Sequence, residues 1–440
     1  MYYVVTKCHF FFFVSASESS TTSQPSTMSS VLPFEIIALI IDIIGENEDT
    51  NLLKELALVS SSFLHICSKH FFATIELHDN VQVPKHHGAF LKKKFVKLLE
   101  NRPDIVKYIR KLTYIVSSIH LPFNPNFDND HLLSPILPNF LRTIPRLNCL
   151  KINGSQLDWN TMDSSLTSAF LHLMHLPTLN HIHLSFIHNF PLSSLTLSAN
   201  LLRLDIFYVR YFDPVPPEEE SIVLSEMMPK IREFNTSESS LLTTKLLHAK
   251  MQDGRPAFNF MGLSRLSVSF SRFEDERNIR FLLQNAKLLE KLHLSDKCDW
   301  SSVSLYNILS PGACTFKILH LTVPLYSLRS VHLPLGGFCE ALEAIAGHNM
   351  LETLSLKVKV DDLESEDFIG CIIQRLVDVL VKPGWSALRQ ISLTLKVCCR
   401  LSSDTSARLC LALQSLPDKY LTHLSNLESV AFNYSAYVGD

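Results

Sequence analysis

Hydrophobic residues recur along most of the chain in a six-residue pattern, LxxLxL, in which other aliphatic or aromatic residues replace some of the leucines. Eleven copies begin at residues 109, 147, 179, 201, 231, 263, 289, 316, 351, 388 and 427. Successive copies start about 32 residues apart on average, with irregular spacing. A pattern that returns at such intervals predicts an array of structural units, each stacked on its neighbours.

Within the copies, the fourth and fifth positions have opposite character. Every fourth position is large and apolar, from Leu112 to Val430, and no fifth position is, from Thr113 to Ala431. Because successive side chains of a strand point to opposite faces, the pattern predicts strands with one buried and one solvent-facing side. Thr236 breaks the inward pattern at a sixth position, after the proline-rich acidic loop DPVPPEEES. We therefore expect the copy at 231 to be weak.

Helix-like stretches lie between the copies, and each ends just before the next predicted strand. They include SSLTSAFLHLMHL, RFLLQNAKLL, FCEALEAIAGH and IIQRLVDVLV. A helix followed by a strand, repeated along the chain, predicts an α/β fold. We expect residues 109–440 to form a degenerate leucine-rich-repeat-like solenoid with a concave parallel sheet and convex helices.

The first hundred residues have a different pattern. Residues 1–30 are predicted to be a disordered leader, because the Ser/Thr-rich part from 15 to 30 has almost no large apolar side chains. Residues 31–77 are predicted to form three short helices, the first with an isoleucine stripe. Residues 78–108 are expected to be a connecting helical segment.

The segments LPFEIIALIIDII and LLKELALVSSSFLHICSKHFF, within residues 31–77, resemble an F-box. Together with the repeats, they make the chain similar to fungal F-box proteins with C-terminal leucine-rich repeats. The resemblance implies a substrate-recognition adaptor of an SCF-type cullin-RING ubiquitin ligase. Its three-helix F-box would bind a Skp-type adaptor of the cullin complex. The implied adaptor-binding residues are Leu32, Pro33, Ile36, Ile37, Ile40, Leu56, Leu58, Val59 and Phe63.

The repeats of such a protein would bind an unidentified target protein on their concave face, where the outward strand positions lie. The candidates are His181, His183, Arg203, Asp205, Glu233, Arg265, Lys291, His293 and His320. Two alternatives remain open. The three helices could serve only as the cap that the end of a repeat array needs. The chain could also be a stand-alone leucine-rich-repeat scaffold for protein interactions, with no role in ubiquitination.

The composition of the chain limits which classes of partner it is expected to bind and which cell compartment it is expected to occupy. Forty basic and 43 acidic residues give a net charge of -3, which offers no electrostatic footprint for nucleic acid or for a membrane surface. Ten scattered cysteines without a CxxC spacing indicate free thiols in an intracellular protein, in the cytoplasm or the nucleus. The apolar run at residues 10–14 is too short for a membrane span or an ordinary signal peptide.

The sequence contains no pattern that indicates catalysis. GxSxG, GxxxxGK[ST], HExxH and GxGxxG motifs are all missing from it, so we expect neither an enzyme nor a cofactor. Five histidines at 172, 175, 181, 183 and 188 raise the question of zinc. Because no cysteine or carboxylate accompanies them at a ligand spacing, we expect solvated histidines and no metal site. The lysines of KKKFVK, at 92–97, are typical of an amphipathic helix.

Overall fold

The computed structural model of the chain describes residues 33–47, 49–80, 98, 101–117, 136–211, 222–223, 228–270, 273–296, 305–309, 316–325, 336–347, 349–361, 366–398, 411, 413–425 and 430–438. Two compact units comprise residues 1–187 and 188–440. Both combine parallel strands with helices, which confirms the predicted α/β class. The predicted leader, Leu32, the loop DPVPPEEES and the run KKKFVK lie outside the described residues.

The described part of the first unit begins with the three predicted helices, α1 (Phe34–Glu46), α2 (Thr50–Val59) and α3 (Ser61–Phe71). Polar side chains cap the second and third. Asp49 accepts a hydrogen bond from the backbone nitrogen of Leu52 at 3.1 Å, and Ser60 accepts one from that of Phe63 at 3.2 Å. Each cap satisfies a backbone donor that has no partner inside its own helix, which fixes where the helix begins.

The three helices share one hydrophobic core. Its buried members include Ile41 of α1, Leu53 of α2, and Cys67 and Phe71 of α3. Ile105, from a 3₁₀ helix at residues 103–108, completes the same cluster. The helices are therefore packed on the segment that leads into the second strand of this unit.

The strands of the first unit are β1 (Thr74–Asn80), β2 (Lys111–Ser117), β3 (Cys149–Asp158) and β4 (His181–His188), of which β4 extends by one residue into the second unit. They are neighbours in chain order. The helices α4 (Ile136–Thr143) and α5 (Ser164–Met174) lie between them in sequence and pack on each other. This arrangement is the one expected of stacked repeats.

The first of these strands, β1, was not predicted. It pairs with β2 in parallel, and Ile75 lies opposite Leu112, the first inward leucine of the repeats. Phe72, Ile75 and Leu77 in fact form a twelfth copy of the six-residue pattern, with an aromatic residue in its first position. Our sequence interpretation had assigned these residues to the helical unit instead. The repeat array thus begins one strand earlier than expected.

The second unit contains ten described strands. They are β5 (Arg203–Phe207), β6 (Ile222–Val223), β7 (Glu233–Ser237), β8 (Lys250–Met251), β9 (Arg265–Phe270), β10 (Lys291–Asp296), β11 (Ile318–Leu325), β12 (Thr353–Asp361), β13 (Gln390–Cys398) and β14 (Ala431–Val438). Eight of them are neighbours in the order β5, β7 and β9 to β14, and each pair is parallel. The short strands β6 and β8 pair with each other.

The α-helices described in this unit are α6 (Ser193–Thr196), α7 (Ser240–His248), α8 (Phe273–Asn285), α9 (Leu305–Leu309), α10 (Gly336–Ile345), α11 (Glu366–Leu380) and α12 (Thr422–Ser425), and a π-helix, Pro417–Leu421, precedes the last of them. From α7 to α11, each helix packs on the next one along the chain. The four helix-like stretches named from the sequence all become helices, α5, α8, α10 and α11. The predicted order of helix and then strand is confirmed.

The predicted register also holds in all but the last copy. In the first ten copies the strand begins two residues after the copy does, and fourth positions such as Leu204, Leu292 and Leu354 are fully buried. In the last copy Ile391 pairs with Phe432 and not with Val430, so the prediction there was wrong by two residues. Because side chains alternate along a strand, a shift by two residues leaves each of them on the same side, and Ala431 still faces outward.

The copy with Thr236 is better formed than expected. Its strand, β7, pairs along its whole length with β5 on one side and β9 on the other. Thr236 is buried, and its Oγ1 lies 3.0 Å from Oγ1 of Thr243 in α7. Because this hydrogen bond satisfies both buried hydroxyls, a polar inward residue is tolerated here.

Candidate functional site

Helix α1 has apolar side chains on two of its sides. Ile37, Ile41 and Ile44 pack into the core of the three helices. A second group, which we call the α1 stripe, consists of Ile36, Leu39, Ile40 and Ile43, and each of these side chains is between 43% and 57% exposed. Their spacing places them on one face of the helix. Since a helix that is apolar all round is normally buried, this face has the character of a binding surface.

Polar contacts hold α1 in place on α3. Asp42 receives hydrogen bonds from Lys69 Nζ and His70 Nε2, both 2.7 Å long. Burial alone would raise the pKa of Asp42, but these hydrogen bonds and charges outweigh it and lower the pKa. Gly45 leaves room for the His70 ring, because a Cβ there would clash with it. The α1 stripe is therefore presented by a helix that is fixed in position.

Helix α2 also exposes apolar side chains. Leu58 is 81% exposed and Val59 is 67% exposed at its end, and Leu52 is partly exposed at its beginning. Burying such a side chain against a partner is worth roughly 1.5 to 3 kcal/mol. These residues are a second candidate for contact with another protein.

The residues that the F-box resemblance implied fall into two groups. Pro33, Ile36, Ile40, Leu58 and Val59 are exposed, whereas Ile37, Leu56 and Phe63 are partly buried against the core of the three helices. The exposed residues Phe34, Leu39, Ile43 and Leu52 were missed. Hydrophobic spacing could not separate the groups, because α1 carries isoleucine on both of its sides.

The outward face of the second unit is the side of its strands opposite the buried leucines. At β5, β7 and β9 it carries a chain of ion pairs. Arg203 contacts Asp205 at 3.1 Å and Glu233 at 3.3 Å, and Arg265 contacts Glu233 at 3.1 Å. Asn235 donates a further hydrogen bond to Asp205. These charges largely satisfy one another.

Asp205 corrects one of our predictions. It occupies a fifth position, which we expected to face water, yet it is only 3% exposed. Neighbouring Arg203 and Asn235 cover its carboxylate and supply its hydrogen bonds. Asp205 is therefore a poor candidate for direct contact with a target, although it orients residues that are more exposed.

Two histidines continue the outward face on β10 and β11. The rings of His293 and His320 meet edge to face with centroids 6.0 Å apart, and His293 Nδ1 lies 3.1 Å from Ser267 Oγ. Burial lowers the pKa of both, and the positive charge of Lys291 lowers each further. Both rings thus favour the neutral form, which can donate and accept hydrogen bonds.

Seven of the nine predicted target-binding residues lie together on β5, β7, β9, β10 and β11 of the second unit. The other two, His181 and His183, are half-buried on β4 in the first unit. His181 Nδ1 lies 3.2 Å from the thiol sulfur of Cys149 on β3. Cys149 is buried, so we interpret this contact as a structural hydrogen bond and not as a nucleophile with its base.

Three outward lysines on β12 and β13 were missed by the sequence interpretation. Lys357, Lys359 and Lys396, which we call the lysine group, lie beyond the six-residue copies on strands that continue past them. The alternation of apolar and polar residues does extend through LSLKVKV and ISLTLKV, and it could have identified them.

Among the described residues, no three His, Cys, Asp or Glu side chains are grouped so that they could hold a metal ion. His175 lies beside His172, and burial followed by the charge of that neighbour lowers its pKa. Within the described ranges, no helix is long and apolar enough to cross a membrane. None of these observations identifies a function, so the exposed surfaces remain the candidate functional sites.

Two buried thiols predict a loss of stability at alkaline pH. Burial raises the pKa of Cys67 and of Cys339 from 9.0 to about 11. Each thiol therefore contributes stability that is complete below pH 9 and is lost as the pH rises towards 11. We expect the free energy of unfolding to fall by about 1.4 kcal/mol per thiol and pH unit in this range.

Urea denaturation of the full chain between pH 8 and pH 11 measures this slope. The variant Cys67→Ala/Cys339→Ala is the control, because it keeps every other titrating group of the protein. Its slope should be visibly shallower than that of the parent protein. Equal slopes for the two proteins would contradict the prediction.

Comparison with known proteins gives no further identification. No protein-family model matches the chain. No curated protein matches its sequence significantly.

Proposed function

We propose that the chain is the substrate-recognition adaptor of an SCF-type cullin-RING ubiquitin ligase. The three N-terminal helices would bind a Skp-type adaptor, and the outward face of the repeat strands would bind the target protein. The observation that carries this proposal is the α1 stripe, an exposed apolar face on a helix whose other side is already buried. The F-box-like sequence of the same helices supports it.

The chain would perform no chemistry of its own. Its contribution would be to hold a target lysine close to a ubiquitin-charged enzyme, so that an intermolecular transfer becomes local and its effective concentration rises. Such a role needs two separate binding surfaces on one folded chain. The α1 stripe and the polar outward strand positions would be these two surfaces, one apolar and one charged.

The alternative is a stand-alone repeat scaffold in which the helices are only a cap. One observation favours it, namely that the three helices share their core with the 3₁₀ helix at residues 103–108. A cap requires that contact, but it does not require the α1 stripe, which points away from the shared core.

Binding of a purified Skp-type adaptor to the full chain tests the proposal. The parent protein should form a one-to-one complex, measured by isothermal titration calorimetry. The variant Ile36→Gln/Ile40→Gln should weaken the complex at least about tenfold, because two side chains lose apolar contact with the partner. These positions are preferable to Ile37, whose partial burial in the core would confuse lost binding with lost folding.

The matched control is Leu241→Gln/Leu288→Gln, which changes two exposed leucines elsewhere in the chain. It should bind the adaptor as the parent does, and both double variants should keep the parent's melting temperature. Absence of any complex with the parent protein would reject the adaptor proposal in favour of the scaffold. Equal weakening by both double variants would reject the α1 stripe as the binding surface.

A further inference from the structure

The last strand of the second unit, β14, pairs on one side only among the described residues. Its register with β13 runs without a break through Ala431–Val438, and it comes last in the strand order of this unit. Burial agrees with this position. The inward residues of β13 are buried, whereas those of β14, namely Phe432, Tyr434 and Ala436, are partly exposed. The strand β14 is therefore an edge strand.

The register also shows which backbone groups of β14 point to the open edge. The backbone nitrogen of Ala431 donates a hydrogen bond of 2.8 Å to the carbonyl oxygen of Arg389, towards β13. Successive residues of a strand direct their N–H and C=O groups to opposite sides within the sheet. The backbone groups of Phe432, Tyr434 and Ala436 consequently point away from β13. They recur about every 6.6 Å, a spacing that another extended backbone matches.

The edge at β14 has none of the usual protection against pairing. Natural proteins protect edge strands with charged residues, proline or β-bulges. The strand AFNYSAYV contains neither a charge nor a proline, and its unbroken register with β13 leaves no bulge. The first strand of the other unit, β1, differs, because its sequence contains Glu76 and Asp79. An unprotected edge of this kind favours pairing with a further strand.

The chemistry of β14 favours a second copy of the same strand as that partner. Because the strand is uncharged, self-pairing places no like charges opposite each other, and a charged partner would meet no complementary charge. Two copies would pair antiparallel about a two-fold axis at Tyr434. Phe432 then lies opposite Ala436 of the second copy, and Asn433 lies opposite Ser435. A large side chain thus meets a small one, and an amide meets a hydroxyl with which it can hydrogen-bond.

The symmetry of this pairing limits its size. A two-fold contact uses the same strand of both copies, so the assembly closes at two chains. Pairing of β14 with β1 of another copy would instead be head-to-tail and would continue into longer chains. The acidic residues of β1 do not favour that arrangement.

We propose that β14 pairs with β14 of a second copy and joins two chains into a two-fold symmetric dimer. The inference goes beyond the proposed function and does not depend on it. The contact of a single pair of strands is smaller than a standard protein–protein interface. The dimer should therefore be weak, with a dissociation constant in the micromolar range.

Sedimentation equilibrium of the full chain from about 1 to 100 µM tests the dimer. The parent protein should change from monomer to dimer over this range. The variant Ala436→Pro removes a backbone donor from the open edge and keeps the hydrogen bonds with β13, so it should weaken the dimer at least about tenfold. The matched control Ala436→Ser keeps the donor and the small side chain, and it should dimerise as the parent does.

A pair of charge variants tests the register without altering any backbone group. Asn433 and Ser435 are both exposed, so the melting temperatures of the dilute variants should stay close to that of the parent. The variant Asn433→Lys/Ser435→Lys places lysines opposite each other on the two copies and should abolish the dimer. The variant Asn433→Lys/Ser435→Glu places lysine opposite glutamate, and it should dimerise at least as tightly as the parent.

Three outcomes would overturn the proposal. They are a parent protein that stays monomeric at about 100 µM, assemblies that grow beyond two chains, and equal weakening by the two charge variants. The first would leave a strand of another protein as the partner of β14, and the second would indicate head-to-tail pairing. None of these variants alters the α1 stripe, so failure here and failure of adaptor binding are separate results.

Discussion

Replacing Leu292 with aspartate should unfold the second unit, whereas the same replacement at the adjacent His293 should leave it folded. Leu292 is fully buried on β10, and the registers place Leu266 and Leu319 directly beside it, both also buried. A carboxylate there would have apolar neighbours on both sides and no partner. Burying an unpaired charge costs a large part of the total stability of a typical domain. We therefore expect the free energy of unfolding of the second unit to fall by more than about 4 kcal/mol.

His293 is the matched control because it is the next residue on the same strand and faces outward. Its neighbours Ser267 and Lys291 are polar, and an aspartate there could be solvated or pair with the lysine. For His293→Asp we expect the free energy of unfolding to change by less than about 1 kcal/mol. Circular dichroism of the full chain during urea denaturation measures both variants. Similar losses at the two positions, or a tolerated Leu292→Asp, would show that the inward and outward assignment is wrong.

Replacing Phe170 with alanine should destabilise the first unit by about 3 to 5 kcal/mol. Phe170 of α5 is fully buried, with its ring centroid 5.1 Å from that of Tyr114 on β2 and 6.4 Å from that of Trp159. Removing the ring leaves a cavity and takes away two aromatic contacts. The loss should therefore exceed that of an ordinary truncation at the edge of the core.

The graded control for this site is Phe170→Leu, which keeps most of the volume and should cost clearly less than alanine. Urea denaturation followed by tryptophan fluorescence is the measurement, and the transition of the first unit should move to lower urea in the alanine variant. Because the chain has two units, the transitions should be fitted separately and not as one two-state process. An alanine variant no less stable than the leucine variant would mean that Phe170 is not central to this core.

Much of the fold could be predicted because a strand in a repeat array obeys a simple constraint. One side must be apolar at every second residue, and this fixed the inward and outward register of ten of the eleven predicted strands. The one strand that was not predicted and the one copy placed wrongly each have a local explanation. The strand β1 carries the same pattern in Phe72, Ile75 and Leu77, but it follows directly on helix α3 and was counted with the helices. In the last copy, Phe432 and not Val430 meets Ile391.

The candidate surfaces were less predictable, because exposure depends on neighbours that are distant in sequence. Ile36 and Ile37 are adjacent and chemically identical, yet one lies on the α1 stripe and the other packs into the core. Asp205 and Asn235 both occupy fifth positions, and only when their strands pair does the amide cover the carboxylate. Lys359 and Lys396 are 37 residues apart in the chain and become neighbours through the register of β12 and β13.

By itself, the sequence determined the alternation of helix and strand in most of the repeats and which side of those strands is buried, because those properties follow from periodicity within a few residues. Only the tertiary structure decided which isoleucines of α1 stay exposed, which outward charges neutralise one another and where lysines gather, because each depends on which strands and helices become neighbours. The six-residue pattern encodes the buried side of the repeats. The surfaces available to partners arise from the packing that this pattern produces.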